Sequence, residues 1–270
     1  MKLAMAQISM RNNMNENYKK TQEYIEKAVG SDVLFFPQLQ LTPYFPQLSG
    51  LDASRALSRM SDARLKGMAY QAQKNHMYIS PNVYLEQDGR MYDASLWFDK
   101  EGVTGETAKM VHVMNTAGSY DKDYFQPGAG FVVHETPAGK IGIVIGADRH
   151  FPESMRCCAL LGARLVLVPA AISKEEDPAM TAAEMRVAAM ENGFFVAVCN
   201  RTGKEGRKDF AGRSMVIDPS GNVLKEADDT EQLMQVDLDL SIVEDVRKGK
   251  PYLSNRRPDV YGLLTKQVEG

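Results

Sequence analysis

Lys109 is the first side chain in this sequence that needs a chemical explanation, because it interrupts the largely apolar stretch 106–113, ETAKMVHV. A buried ammonium is expensive unless it is paired or used. The second candidate group is 146–150, GADRH, which follows the apolar run 141–145, IGIVI. In α/β proteins, ligands and nucleophiles sit in the crevice beyond the carboxyl ends of strands, and residue 146 holds that position. It is a glycine, Gly146, and carries no functional group. Asp148, Arg149 and His150 beside it offer an acid, a fixed cation and a titratable base, either as an acid–base group or as braces of a tight turn. Cys157 and Cys158 follow Gly146 by 11 and 12 residues. That is about three turns of helix, too far from the strand end to replace a nucleophile there. These two and Cys199 read as buried structural thiols. An odd count with adjacent members argues against a disulfide framework. The four histidines, His76, His112, His134 and His150, lack paired ligand spacing, and no CxxC occurs, so no metal site is expected.

The elements that must position these groups follow from periodicity and punctuation. Residues 3–8 read as a strand, and 13–28 as an amphipathic helix with Tyr18, Thr21, Ile25 and Ala28 on one face. A second buried strand, 33–36, ends at Pro37-Gln38, which places the polar Gln38 just where a strand gives out. Pro43 and Pro46 stiffen the loop 39–50, so Tyr44 belongs to a semi-rigid wall. Residues 54–76 read as largely helical, 78–84 and 91–98 as a hairpin around Asp88-Gly89, and 106–113 as a strand that brings Lys109 into the sheet. The loop 114–128 holds Asp121, Asp123, Tyr124 and Phe125. Segment 140–171 reads strand, turn, helix, strand, and closes at Ala171. There follow a helix at 180–192, a strand at 195–199, a hairpin of 210–218 with 222–225, a strand at 232–237 and a helix at 240–248. The tail 251–270 reads as an extended arm that packs on a neighbour. Strands alternating with helices, with hairpins between, predict two mixed sheets covered by helices on their outer faces, a four-layer α-β-β-α sandwich of the α/β class.

Hydrophobic content of 44%, charged content of 25% and a net charge of -3 describe a soluble globular chain with one large α/β domain, 1–261, and a short tail, 262–270. Mild acidity without a clustered Lys/Arg run argues against nucleic acid or anionic membrane as a partner. No run of 18 apolar residues occurs, and the strand-like start at Met1 lacks the apolar run of a signal peptide, so a cytoplasmic location is expected.

Several stretches taken together resemble the nitrilase superfamily, the carbon–nitrogen hydrolases. They are KLAMAQISM, DVLFFPQLQLTPY, AKMVHV, YFQPG, GKIGIVIGADRHFPES, LVLVPAA, AAMENGFFVAVCNRTG and FAGRSMVIDPSG. The nearest branch is the N-carbamoyl amine and small-amide hydrolases. The resemblance implies the α-β-β-α sandwich, assembly into homodimers or larger homo-oligomers, and no metal or organic cofactor. It also implies hydrolysis of small amides, N-carbamoyl amines or nitriles by a cysteine nucleophile, a glutamate base and a lysine. Cysteine attacks the carbon, glutamate takes the thiol proton, and lysine with a backbone N–H stabilises the developing oxyanion.

Carried over residue by residue, the base position holds Gln38, whose neutral amide cannot take a thiol proton. The lysine position is assigned to Lys109, the nucleophile position holds Gly146, and a second carboxylate corresponds to Asp121. Ala147 replaces an aromatic neighbour of the nucleophile. Tyr44, Ala147, Asp148, Arg149 and Ala171 are the expected pocket wall, while Glu191, Asn192 and Asn200 read as buried hydrogen-bonding scaffold. Removing a nucleophile alone costs on the order of 10⁶ in turnover. The sequence therefore predicts an inactive paralogue that binds a small amine, amide or carboxylate, or pairs with an active relative, with Asp121 as counter-ion to Lys109. The alternative is a hydrolase or lyase with non-covalent chemistry on Lys109 and Asp121, using a water in the space of the missing thiol.

Overall fold

The computed structural model describes residues 1–267. One sheet runs in the order Gln232–Asp237, Lys2–Gln7, Val33–Phe35, Tyr78–Ser80, its first pair antiparallel and the rest parallel. Beyond it, Ser58–Arg59, Asn82–Gln87, Arg90–Ser95 and Ala108–Lys109 form four further strands, joined to the first set by a bridge between Ile79 and Phe98. The facing sheet has six strands, in the order Val132–His134, Ile141–Ile143, Leu165–Ala170, Phe195–Asn200, Met215–Ile217, Val223–Glu226.

Period-two alternation divides each strand between two cores. Leu3, Met5, Val33 and Phe35 meet Ile141, Ile143, Leu165 and Leu167 between the sheets. Ala4, Ala6 and Leu34 lie instead under Tyr24, Ile25, Leu65 and Met68 of the helices Met14–Lys27 and Ala63–Asn75. Val166, Val168, Val196 and Val198 lie under Met155, Cys158, Met185 and Ala189 of Pro152–Leu160 and Pro178–Asn192. The layers are thus α-β-β-α, as the alternation of elements predicts.

Two elements are shorter than expected. The helix expected at 54–76 is confined to Ala63–Asn75, capped by the Asp62 carboxylate on Arg64 N–H, because Ser58–Arg59 is drawn off to pair with Leu85 and Glu86. The strand expected at 106–113 is only Ala108–Lys109. The region expected as one strand at 210–218 is interrupted by Gly212 and Arg213, both at positive φ, +65° and +54°. The backbone leaves the Lys208–Ala211 hairpin there and enters Met215–Ile217. The expected arm includes two 3₁₀ turns, Pro258–Val260 and Gly262–Thr265, while its last three positions, 268–270, lie outside the described residues. Among the described residues, no helix is long and apolar enough to cross a membrane, and no group of three or more His, Cys, Asp or Glu is arranged to hold a metal ion.

Candidate functional site

Gln38 and Gly146 come together from opposite sheets. Gln38 leaves the strand Val33–Phe35 almost fully buried, and its backbone is held from below by Arg201, whose Nη1 donates to the Gln38 carbonyl at 3.0 Å. Arg201 is itself completely buried, paired with Glu205 at 2.6 Å and donating to the Thr42 carbonyl. Gly146 opens a 3₁₀ turn, Gly146–His150, at φ +52°, a left-handed conformation that favours glycine. A Cβ at 146 would lie 2.7 Å from Gln38 Nε2, 2.9 Å from Oε1 and 3.0 Å from Cδ. The carboxamide of Gln38 therefore takes up the volume in which a side chain at 146 would begin. That corrects the expectation of a water in the space of a missing thiol, because an amide is already there.

The partner of that amide is a residue the sequence did not single out. Gln38 Nε2 donates to Asp93 Oδ2 at 2.6 Å, and Asp93 is completely buried on the strand Arg90–Ser95. Its other oxygen, Oδ1, is buried with no hydrogen-bond partner. Burial pushes the Asp93 carboxyl up to about 7, against the stabilising bond from Gln38. At neutral pH it is poised between acid and carboxylate. The signal available in the sequence was MYDASLWF, a strand whose alternation turns an acid toward the inner face.

Lys109 does not join this group. It pairs directly with Ala94 across the sheet, and directly opposed residues share a face. Ala94 and Tyr92 pack in the outer core under the helices, whereas Asp93 between them faces inward. The Lys109 ammonium accordingly sits over the Tyr92 ring, 3.9 Å from its centroid. Among the described residues it makes no ion pair with Asp121. The inward position beside Asp93 is Met110, fully buried between the sheets, with its backbone N–H donating to the Asp93 carbonyl at 3.0 Å. A one-residue step in a strand exchanges faces, and the expectation that Lys109 enters the site is corrected on that ground.

Asp121 is buried and accepts from Ser119 Oγ at 2.7 Å and from the Tyr44 hydroxyl at 3.4 Å. Burial raises its carboxyl, and raises the Tyr44 phenol well above its usual range. The expected charge pairing with Lys109 is replaced by these neutral donors. Tyr44 also packs edge-on against Phe210. Asp148 accepts from the backbone N–H groups of Val111 and His112, the latter at 2.7 Å, and lies 2.8 Å from His112 Nδ1. Arg149 donates to the Gly146 carbonyl at 3.2 Å and pairs with Glu176. Both side chains brace the turn. Ala147 and Ala171 are half-buried, Ala171 against the inter-sheet core. Asn200 donates to the carbonyls of Ile172 and Gly212 and the buried Asn192 to that of Ala188, as expected of scaffold, whereas Glu191, expected to be buried with them, is exposed.

The thiols lie elsewhere. Cys199 is buried against the Ala6 carbonyl with its pKa raised well above the usual value, and burial pushes Cys158 up to about 12. Cys157, expected to be buried, is exposed on the outer helix.

The family model for carbon-nitrogen hydrolases matches residues 2–248. The chain belongs to the carbon–nitrogen hydrolase family. This carbon–nitrogen hydrolase is 30% identical to a Pseudomonas protegens protein described as a hydrolase, over 93% of this chain and 87% of that one. It is 28% identical to the N-carbamoylputrescine amidase of Arabidopsis thaliana, over 88% and 85%. Its fold superposes on the crystal structure of a carbon-nitrogen hydrolase from Helicobacter pylori G27 with a TM-score of 0.93, 25% identity and coverage of 100% and 99%.

Proposed function

We propose that this carbon–nitrogen hydrolase homologue does not run the thioester reaction of its family and serves instead as a non-catalytic, small-ligand-binding or regulatory member. The inherited reaction class is hydrolysis of non-peptide C–N bonds in small amides, N-carbamoyl amines or nitriles, a range that includes the activity named for the Arabidopsis relative. The observation that carries the reading is the Gln38 carboxamide packed onto Gly146. It leaves the turn without a nucleophile, and a side chain there would have to displace the Gln38 carboxamide. Three absences act together. No thiol stands at 146, no side chain at 38 takes a proton, and the side chain facing inward at the lysine strand is a thioether, Met110. Non-covalent chemistry on Lys109 and Asp121 has little support, because one lies on the outer face and the other is engaged by Ser119 and Tyr44.

The test is ammonia release from acetamide, N-carbamoylputrescine and a simple aliphatic nitrile by the purified full chain. No release above a buffer blank is expected, and none after Cys157→Ser. Turnover that persists through stringent purification and disappears in Asp93→Asn would overturn the reading and make Asp93 the base of an active enzyme.

A further inference from the structure

The outer side of the nucleophile turn carries a second arrangement of polar groups, separate from Gln38 and Asp93. Asp148 is 1% exposed and fixed by two backbone N–H groups, so it accepts, and His112 Nδ1 at 2.8 Å donates to it. In the neutral ring that leaves Nε2 as the free nitrogen. The ring plane is fixed as well, because Phe151 stacks on it with 3.6 Å between centroids and 5° between planes. A buried carboxylate that sets the tautomer and orientation of an imidazole is the arrangement used where the other nitrogen must meet a ligand.

That nitrogen belongs to a ring lining a groove of about 540 Å³, whose walls include Met114, Phe125, Pro127 and Phe151. Lys122 also lines it, exposed and, among the described residues, in no ion pair. An apolar concavity with a few fixed polar groups is the usual form of a small-molecule site. The charges decide the class of ligand. Asp148 already neutralises a protonated His112, so Lys122 is the uncompensated charge of the groove, and the complementary ligand is an anion with an apolar body.

We propose that this groove binds a small carboxylate with an apolar body, held between His112 Nε2 and the Lys122 ammonium. The carboxylate accepts from Nε2–H of the doubly protonated ring, whose Nδ1–H is held by Asp148. The inference sharpens the ligand-binding part of the function proposed above by naming the ligand class and the place, and it does not depend on whether the inner site turns over.

The experiment is a titration of the full chain with benzoate, followed by saturation-transfer NMR, with benzamide as the neutral analogue. Saturable benzoate binding is expected, at least tenfold weaker for benzamide and for Lys122→Ala, and lost in His112→Gln. Lys122 is a surface residue, so its variant folds even where His112→Gln does not. Absence of saturable benzoate binding to the unmodified chain, equal binding of benzamide, or indifference to Lys122→Ala would each sink the proposal. Ammonia is measured separately, so a failed benzoate titration and an unexpected turnover remain distinct results.

Discussion

At the scale of the residue, Gln38 and Asp93 are a matched pair, and the match accounts for the missing base. Asp93 needs a donor beside Oδ2, and a glutamine supplies one where a glutamate would bring a second buried carboxyl to within 2.6 Å. Gln38→Glu is therefore expected to destabilise the fold by about 3 kcal/mol, and Gln38→Glu with Asp93→Asn to recover most of that loss. Urea melts of the two single variants and the double variant check it. Equal losses in the single Glu variant and the double variant would show that the pair is not coupled. The same pair predicts a pH dependence. The folded carboxyl titrates at about 7 against an ordinary value of 3.8, so between those limits the native state holds more protons than the unfolded state. Stability is fully present below the lower value and falls as pH rises toward 7, by up to about 4 kcal/mol for a shift of this size. Asp93→Asn is expected to flatten that slope, read as melting temperature from pH 4 to 8.

At the scale of the element, the layers were legible because apolar period and turn residues both mark them, as in residues 3–8 and 165–169. The site was only half legible. Gln38 and Gly146 follow the continuous buried apolar runs 33–36 and 141–145, each closed by a clear break, Pro37 and the turn Gly146–His150, so the place where the strand gives out can be read directly. Lys109 comes from a two-residue strand, Ala108–Lys109, too short to show a period. Its face is set by its partner Ala94, which no local pattern reveals. Asp93 escaped for a related reason, since an acid within a hairpin reads as the solvent side of an alternating strand, and here both sides are covered. His134 shows what the end of such a strand does. It closes the edge strand Val132–His134, stacks on Trp97 at 4.6 Å and 3°, and is held neutral by burial, which lowers its pKa to about 4. Between about 4 and its ordinary 6.5 the unfolded state binds the extra proton, so stability is lost as pH falls through that window, with the opposite sign to Asp93. His134→Phe is expected to keep the stack and to remove up to about 3 kcal/mol of acid sensitivity. A melting temperature at pH 4.5 no higher than that of the unmodified chain would contradict it.

At the scale of the whole molecule, the surface over the six-stranded sheet is unbalanced. Pro178–Asn192 turns Met185 and Ala189 inward but leaves Met180 and Val187 exposed, and Leu160 and Leu161 stand out at the end of Pro152–Leu160. The tail adds Val260, Leu263 and Leu264, each more than half exposed. Single exposed apolar residues need no explanation. Seven on two neighbouring helices and the tail suit a surface covered by another copy, and the proposed loss of chemistry leaves assembly as a reason to keep the fold intact. The chain mass is 30.0 kDa. Light scattering after size exclusion at micromolar concentration is expected to give about twice that value, with a melting temperature that rises with protein concentration, as mass action requires for coupled folding and assembly. Val187→Glu combined with Leu264→Glu places two charges on this face and is expected to yield the single-chain mass with the concentration dependence gone. Tyr70→Glu, on the exposed side of the helix Ala63–Asn75 over the other sheet, serves as the control and is expected to leave the mass unchanged. A single-chain mass for the unmodified protein would refute self-assembly and shift attention to a different chain as the partner. A dimer that survives both charges would place the interface elsewhere on the molecule.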